Sequence, residues 1–254
     1  MGAGAMSKPY RVILFDCFNT LYLQDPSRVP QLELDGKQVP STAGLVAERL
    51  RVLDPSLQPE TVHRAHRSAW KWAEGERGPD LAEVPAPRRF KRMFQELGLI
   101  DVQDALAQEV LEVHMRTLTG TFTFPDAHRH LLERLRLRYR LSLLSNFDHG
   151  PTLRRLLEDT GIADWFDPLL VSDGLGFRKP GPAAFAAALD AIGEPAESVL
   201  YVGDSLEDDV QGCRSAGIDV AWLNAAGAEA PPDCMPTYEM RALPDLGGLL
   251  GHLE

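Results

Sequence analysis

An aspartate stands where a short apolar segment of the chain ends, and a hydroxyl follows four residues later. Val12–Phe15 is typical of a buried strand, Asp16 comes directly after it, and Thr20 lies in the loop beyond. A carboxylate held in a loop at the end of a buried strand can act as a nucleophile. Residue 18 is Phe18, which can neither donate nor accept a proton. The pattern therefore predicts a nucleophilic carboxylate that receives no acid–base help from position 18.

Three further groups of polar residues follow apolar segments later in the chain. They are a hydroxyl beside an amide, a lysine before a proline, and an acidic cluster. Because ligands of open α/β sheets bind beyond the carboxyl ends of the strands, these groups are expected to converge on one sheet edge. The residues are Ser145 and Asn146, Lys179, and Asp204 with Asp208 and Asp209.

This combination favours attack on an anionic group. A carboxylate that approaches a phosphoryl group is repelled by it, so nearby cations must offset the repulsion. Mg²⁺ prefers carboxylate, carbonyl and water oxygens as ligands. Mg²⁺ is therefore a cofactor that would suit a carboxylate-rich site of this kind.

The elements that must position these residues alternate between strand and helix. Continuous apolar strands separated by helices predict a parallel, Rossmann-like sheet with helices on both faces. Strands are predicted at Arg11–Phe15, Arg140–Leu144, Leu169–Val171, Val199–Val202 and Val220–Leu223. Helices are predicted at Asp126–Arg138, Pro151–Thr160, Pro182–Ile192, Leu206–Ala216 and Pro244–His252, and residues 225–237 are predicted to form a surface loop.

Residues 21–122 differ from the rest of the chain, because they contain helix-spaced apolar residues separated by proline and glycine. They predict a smaller, all-helical insert in an α/β core made of residues 8–20 and 123–254. Residues 1–6 are expected to form a flexible leader. The helices of the insert are predicted at Thr42–Leu53, Pro59–Glu76, Arg88–Leu97 and Val102–Leu118.

Composition excludes several classes of protein. The net charge of −11 disfavours nonspecific binding to nucleic acids, which depends on basic residues. No apolar stretch approaches the ~20 residues of a membrane-spanning helix, and no signal peptide is recognisable. Three scattered cysteines form neither a disulfide framework nor a zinc motif. We expect a cytoplasmic protein that binds a small anionic substrate and neither nucleic acid nor membrane; its oligomeric state stays open.

Taken in order, these motifs resemble those of the haloacid dehalogenase superfamily, and the resemblance covers essentially the whole chain, with the insert as that family's cap. The fold above is the one that the resemblance implies. It also implies a role for each candidate residue. By this resemblance, Asp16 is the nucleophile and a metal ligand, Asp204 is a second metal ligand, and Phe18 offers the metal its backbone carbonyl. Asp208 or Asp209 binds the ion or orients its waters. Lys179 neutralises nucleophile and phosphate, Ser145 and Thr20 donate hydrogen bonds, and Asn146 is a further member of the site.

The chain departs from the family's phosphatases at one decisive position. They carry an aspartate where this chain has Phe18, and it protonates the leaving group and later activates water. General acid–base catalysis typically contributes about 10²–10⁴ in rate, or roughly 3–5 kcal/mol. The replacement leaves three interpretations of the function.

The favoured interpretation is a Mg²⁺-dependent phosphatase. Its acid would come from elsewhere, for instance from His63, His66 or Lys71 in the insert, or its leaving group would need none. The second is a 2-haloacid dehalogenase. Those enzymes carry a tyrosine at position 18 and lose halide without a proton, but they need no metal, and Asp204 would repel a haloacid. The third is a noncatalytic member that binds a ligand or a protein partner.

Several other residues have a structural interpretation that competes with a functional one. His63, His66 and Trp70 share one helix face, which is expected either to pack inside the insert or to roof the site. The basic residues of segment 88–92 are predicted to form a solvated helix face. Cys17 is predicted to be a buried small residue rather than a nucleophile.

Overall fold

The structure, a computed structural model, describes residues 10–251. The leader predicted at residues 1–6, the first core residues and the last predicted helical residue, His252, lie outside the described residues. The strands are β1 (Val12–Phe15), β2 (Leu23–Gln24), β3 (Gln31–Leu34), β4 (Lys37–Pro40), β5 (Phe122–Thr123), β6 (Arg140–Ser145), β7 (Phe166–Val171), β8 (Val199–Gly203), β9 (Asp219–Leu223) and β10 (Tyr238–Met240). The helices are α1 (Ala43–Leu50), α2 (Pro59–Glu76), α3 (Ala86–Glu96), α4 (Asp104–Thr119), α5 (Asp126–Leu135), α6 (Gly150–Thr160), α7 (Ser172–Leu175), α8 (Pro182–Ile192), α9 (Gly212–Ala216) and α10 (Leu246–Leu249).

Six strands form one parallel sheet in the order β10-β9-β8-β1-β6-β7. The five predicted strands are confirmed, and β1 lies between β6 and β8. The sixth, β10, was not predicted, because it has only three residues and follows the loop expected at 225–237. The helix predicted over 206–216 begins with a π-helical segment, Leu206–Gln211, before α9.

Successive side chains of a strand point to opposite faces of the sheet. The apolar residues of β1 therefore pack on both faces, and both faces are covered. Ile13 and Phe15 belong to one apolar cluster. Val12 and Leu14 belong to a second cluster on the other face. The predicted α/β architecture is therefore confirmed, and the sheet edge at the carboxyl ends of the strands is left to carry the polar residues.

The insert between β2 and β5 contains four helices, as predicted, but it is not all-helical. Strands β3 and β4 form an antiparallel hairpin ahead of α1. Its turn is Asp35-Gly36, and both residues have positive φ, 52° and 76°. Asp-Gly is a favoured sequence for such turns. Each strand has only four residues, none of them is buried, and half of the residues are polar, so they lack the continuous apolar pattern on which the strand prediction depended.

Several contacts join the insert to the sheet domain, and two of them are made by backbone hydrogen bonds. Strands β2 and β5 pair antiparallel where the chain leaves and re-enters the sheet domain. The segment before α3 also bonds to loops of the sheet domain, where the Glu83 amide donates to the Gly176 carbonyl at 2.8 Å and the Ala86 amide to the Asp148 carbonyl at 2.7 Å. Among the described residues, no helix has both the length and the apolar composition needed to cross a bilayer.

Candidate active site

Asp16 lies at the carboxyl end of the central strand of the sheet. Its amide donates a hydrogen bond to the Val202 carbonyl of β8 at 2.9 Å, which continues the β1–β8 ladder by one residue. The residue is 7% exposed. Asp16 therefore has a fixed backbone and a carboxylate largely withdrawn from water.

The ammonium of Lys179 joins two carboxylates at this edge. Its Nζ lies 2.7 Å from Asp16 Oδ1 and 2.6 Å from Asp209 Oδ1. Both partners and the lysine are buried. The sequence placed these residues at three different strand ends, and the structure brings them into direct contact, as expected for parallel strands that share one edge.

Three carboxylates converge around this lysine. Ligand-capable oxygens of Asp16, Asp204 and Asp209 all lie within 4.8 Å of one another. One ammonium faces three carboxylates, so the cluster carries an excess of negative charge. Oxygen donors of this kind suit Mg²⁺, which prefers carboxylates and water. The residues therefore fit the predicted ion, with Asp209 rather than Asp208 as the third carboxylate.

Ser145 supplies a second sign that the site is built for a ligand. Its hydroxyl is buried at the end of β6, and no hydrogen-bond partner is present for it among the described residues. A buried polar atom without a partner is costly unless something else satisfies it. Thr20, also buried, donates to Asp204 Oδ1 at 3.4 Å.

Asn146 and Asp208 hold the lysine loop rather than the carboxylate cluster. The side chain of Asn146 accepts from the Lys179 amide at 2.8 Å and donates to the Lys179 carbonyl at 2.9 Å. The same amide group donates to Asp208 Oδ2 at 3.2 Å. Asn146 is therefore a positioning residue, and Asp208 lies outside the group of three carboxylates described above.

Burial and crowding shift the titration of the cluster. Burial raises the pKa of Asp16 to about 7, against the opposing effect of Lys179 and with Asp209 adding to the rise. Burial and the neighbouring Asp209 raise the pKa of Asp204 to about 6. Burial by itself lowers the pKa of Lys179, but Asp16 and Asp209 more than offset this and raise it above its ordinary value. The lysine is therefore a permanent cation, while two carboxylates are held in a setting that disfavours their charge.

Two residues of the site were missed by the sequence analysis. The hydroxyl of Tyr201, a buried residue of β8, lies 2.6 Å from Lys179 Nζ and 2.9 Å from Asp209 Oδ1. A Cβ on Gly203 would lie 2.2 Å from Asp209 Oδ2, so only glycine admits that carboxylate. Tyr201 stands in a strand that the apolar pattern explained fully, and nothing local marks it as a site residue. The glycine directly before Asp204 was a usable signal.

Phe18 occupies an aromatic cluster beside these residues. Its ring centroid lies 4.7 Å from that of Phe122 in β5 and 5.0 Å from that of Phe147 in the loop after β6. The backbone carbonyl of Phe18 as a metal ligand stays a prediction. Cys17 is fully buried, and burial raises its pKa well above the ordinary value, which agrees with its predicted structural role.

The basic segment at 88–92 is not a uniformly solvated face, and Arg89 contradicts that prediction. Its side chain is 2% exposed and donates two hydrogen bonds to Asp148 Oδ2, at 2.9 and 2.7 Å. Its third contact is with His66 Nε2 at 2.7 Å, and its guanidinium lies 4.7 Å from the centre of the Trp70 ring. A single buried carboxylate from another part of the chain overrides the local charge pattern.

The histidines predicted as alternative acids are engaged inside the insert. Burial and the adjacent Arg89 lower the pKa of His66 to about 3. His63 is bonded to the Ser41 hydroxyl at 2.8 Å, and burial lowers its pKa as well. Lys71 is exposed on α2. His66 therefore follows the packing interpretation rather than the roofing one.

Comparison with known proteins agrees with this geometry. A family model described as haloacid dehalogenase-like hydrolase matches residues 10–217. The HAD-hydrolase YfnB of Bacillus subtilis (strain 168) is 27% identical over 246 residues, which cover 96% of each chain. Pyrimidine 5'-nucleotidase PynA of Streptococcus pneumoniae (strain ATCC BAA-255 / R6) is 28% identical over 241 residues, or 93% of each chain.

Solved structures share the fold. A 2-haloacid dehalogenase from Pseudomonas syringae pv. Tomato DC3000 superposes with a TM-score of 0.73 at 21% identity, covering 95% of this chain and 98% of that one. YfnB bound to magnesium superposes with a TM-score of 0.60 at 23% identity, covering 96% and 99%. The relatives thus include phosphatases, nucleotidases and dehalogenases. Because the family model spans most of the chain and the site has the matching residues, the protein belongs to the haloacid dehalogenase-like hydrolases.

Proposed function

We propose that the protein is a Mg²⁺-dependent phosphatase of a small phosphorylated metabolite that acts through a phospho-aspartyl intermediate at Asp16. The observation that carries the proposal is the charge imbalance, because Asp16, Asp204 and Asp209 converge within 4.8 Å with one lysine among them. Bound Mg²⁺ would supply the positive charge that offsets repulsion between these carboxylates and an anionic substrate. YfnB, a relative over the whole chain, has been crystallised with magnesium.

The residues of the chain divide the remaining work. The carboxylate of Asp16 attacks phosphorus, and the Lys179 ammonium, 2.7 Å from it, neutralises nucleophile and phosphoryl oxygens. The unpartnered Ser145 hydroxyl donates to the phosphoryl group, which gives it the partner it lacks. Tyr201 and Asn146 hold the lysine in place. None of these groups has to change its protonation state during transfer.

We further propose that residues 21–122 act as a cap and that residues 8–20 and 123–254 form the catalytic core. The contacts of the insert with the sheet domain include the β2–β5 pair and the segment from Glu83 to Ala86. Opening there would admit substrate, and closure would exclude water from the site. The substrate is small and anionic in this proposal, and the net charge of −11 disfavours nonspecific binding to nucleic acid.

Carbon–halogen hydrolysis is the second candidate, because one observation favours it. Phe18 is surrounded by two other rings and has no proton to give, and halide leaves without one. Against it, the carboxylates of Asp204 and Asp209 would repel a 2-haloacid in the absence of a metal. A noncatalytic, ligand-binding role is the third candidate.

The three candidates are separated by one assay with a matched variant. Wild type and Asp16→Asn are tested on phosphate esters and 2-haloacids, each with Mg²⁺ and with chelator. We expect Mg²⁺-dependent phosphate release by wild type alone, together with a phosphate-mass increase on the Asp16 peptide after acid quench. Halide release that survives the chelator would replace the phosphatase by a dehalogenase. Ligand binding with no turnover of either class would establish the noncatalytic role.

A further inference from the structure

The residue two positions after the nucleophile belongs to an aromatic wall, which we define as Phe18, Phe122 and Phe147. The three rings come from the loop after β1, from β5 and from the loop after β6, with centroids 4.7 and 5.0 Å from that of Phe18. All three are mostly buried. The wall fixes the Phe18 side chain from two sides, so another group cannot take the position without repacking the junction of the insert.

Most of the six imidazoles among residues 10–251 are engaged in packing contacts, and the remaining one, His130, is exposed on α5. Five histidines among residues 10–251 have a ring nitrogen bonded to a group that belongs to the surrounding packing. The partners are Ser41 for His63, Arg89 for His66, Thr42 for His114, the Leu21 carbonyl for His128 and Thr152 for His149. Of the site carboxylates, three belong to the charged cluster and the fourth, Asp208, is bonded to Asn146.

We propose, on the basis of the phosphatase function above, that this site selects phosphorylated compounds whose leaving group departs as a stable anion, namely acyl phosphates and aryl phosphates, over alkyl phosphates. Acyl and aryl phosphates share one property, which is that their oxygen needs no proton when the bond to phosphorus breaks.

The reaction balances without a protein acid. The Asp16 oxygen forms a bond to phosphorus while the bond from phosphorus to the leaving oxygen breaks, and that oxygen keeps the electron pair as a carboxylate or phenolate. Water then adds its oxygen to phosphorus, the bond to Asp16 breaks, and the protons of water remain on inorganic phosphate. The intermediate is itself an acyl phosphate, since its leaving group is the Asp16 carboxylate. Transfer to Asp16 and hydrolysis of the intermediate therefore both need a leaving group that departs without a proton.

The test is a series of substrates with one variable, the acidity of the leaving group. We compare kcat/KM for acetyl phosphate, substituted phenyl phosphates and alkyl phosphates, because kcat/KM reports the first transfer to Asp16. We expect a steep rise as the leaving group becomes more acidic. In Phe18→Asp, alkyl phosphates should gain about 10²–10⁴-fold in kcat/KM and acetyl phosphate far less, so that the series flattens.

The matched control is Phe18→Leu, which also disturbs the wall but supplies no acid and should keep the steep series. Thermal unfolding checks both variants; if Phe18→Asp does not fold, the wild-type series still decides. Alkyl phosphates within tenfold of phenyl phosphates in wild type would overturn the inference while leaving the phosphatase intact. Absence of Mg²⁺-dependent phosphate release even from acetyl phosphate would overturn the proposed function itself.

Discussion

Two of the charged clusters that are buried in the described part of the chain differ in whether their charges balance. At the sheet edge, Asp16, Asp204 and Asp209 face one lysine. At the contact between the insert and the sheet domain, Arg89 faces Asp148, and its remaining partner, His66, is held neutral by burial and by the arginine. The first cluster has more charge than its protein partners neutralise, and the second does not.

This difference in charge balance distinguishes a ligand-binding site from a purely structural contact. A buried ion pair with hydrogen bonds on both sides is complete, and its loss leaves an uncompensated charge. A cluster with surplus carboxylates and an unpartnered hydroxyl, Ser145, is stable only because part of its charge is suppressed by protonation or by a ligand. The same substitution, aspartate to asparagine, should therefore have opposite effects on stability in the two places.

The largest effect on stability is expected at the balanced cluster, which consists of Arg89, Asp148 and His66. Asp148→Asn leaves the Arg89 guanidinium buried without an anion, and it should lower the free energy of unfolding by about 3–5 kcal/mol. Denaturant unfolding measures it. Glu112→Gln is the control, because Glu112 pairs with Arg116 and Arg155 on the surface, where all three side chains are exposed, and it should change the free energy of unfolding far less. Equal losses in the two variants would mean that Arg89 is compensated by other groups.

A gain in stability is expected at the surplus cluster, which consists of Lys179 with Asp16, Asp204 and Asp209. Asp204→Asn removes a carboxylate whose pKa is raised to about 6 by burial and by Asp209. At pH 8 and without metal it should raise the free energy of unfolding by up to about 3 kcal/mol, since the pKa rises from 3.8 to about 6 and one pKa unit corresponds to about 1.4 kcal/mol. It should also abolish stabilisation by Mg²⁺. Asp233→Asn, in an exposed loop, should change neither quantity. A destabilised Asp204→Asn would erase the distinction between the clusters.

The pH dependence of the metal-free protein sharpens the contrast. The pKa values of Asp16 and Asp204 are raised to about 7 and about 6, above the ordinary 3.8, so the folded chain keeps protons that the unfolded chain has released. Stability should therefore fall as pH rises from about 4 to about 7. Because only ionised carboxylates bind Mg²⁺ well, the increase in melting temperature caused by Mg²⁺ should be larger at pH 8 than at pH 5. A pH-independent increase would contradict the proposed ligands.

The smallest effect concerns the hydroxyl that links lysine and carboxylate within the surplus cluster. Tyr201→Phe removes contacts of 2.6 Å to Lys179 and 2.9 Å to Asp209, and should cost about 1 kcal/mol, or about five- to tenfold in kcat/KM. A displaced pH profile would distinguish positioning of the lysine from simple loss of packing. The control is Tyr22→Phe, whose hydroxyl bonds to Thr160 away from the site and should leave kcat/KM unchanged. Equal kinetics in the two variants would remove Tyr201 from the site.

The sheet and the polar residues at its edge were predictable because their signals are local. Each predicted core strand is a short apolar segment, and the side chains of Asp16, Ser145 and Asp204 follow such segments directly. Parallel pairing then brings strand ends to one edge whatever the loops do. The hairpin β3–β4 and the strand β10 escaped prediction because they are short. The hairpin also contains no buried residue, so burial imposed no continuous apolar pattern on it.

Residues that depend on a distant partner could not be predicted. Arg89 has the surroundings of a surface residue in the sequence, and Asp148, which buries it, is 59 residues away. The choice of Asp209 over Asp208 as the third carboxylate likewise depends on which of two adjacent side chains faces the lysine, and the π-helical turn that contains both decides it.

The sequence by itself determined the α/β core, the order of the motifs and the absence of an acid at position 18, because these follow from residue type and from hydrophobic periodicity. Only the tertiary structure decided which charges meet. It left the carboxylates around Lys179 in excess and gave Arg89 a single matching anion, since the electrostatic balance of a buried group depends on neighbours that are close in space and remote in the chain.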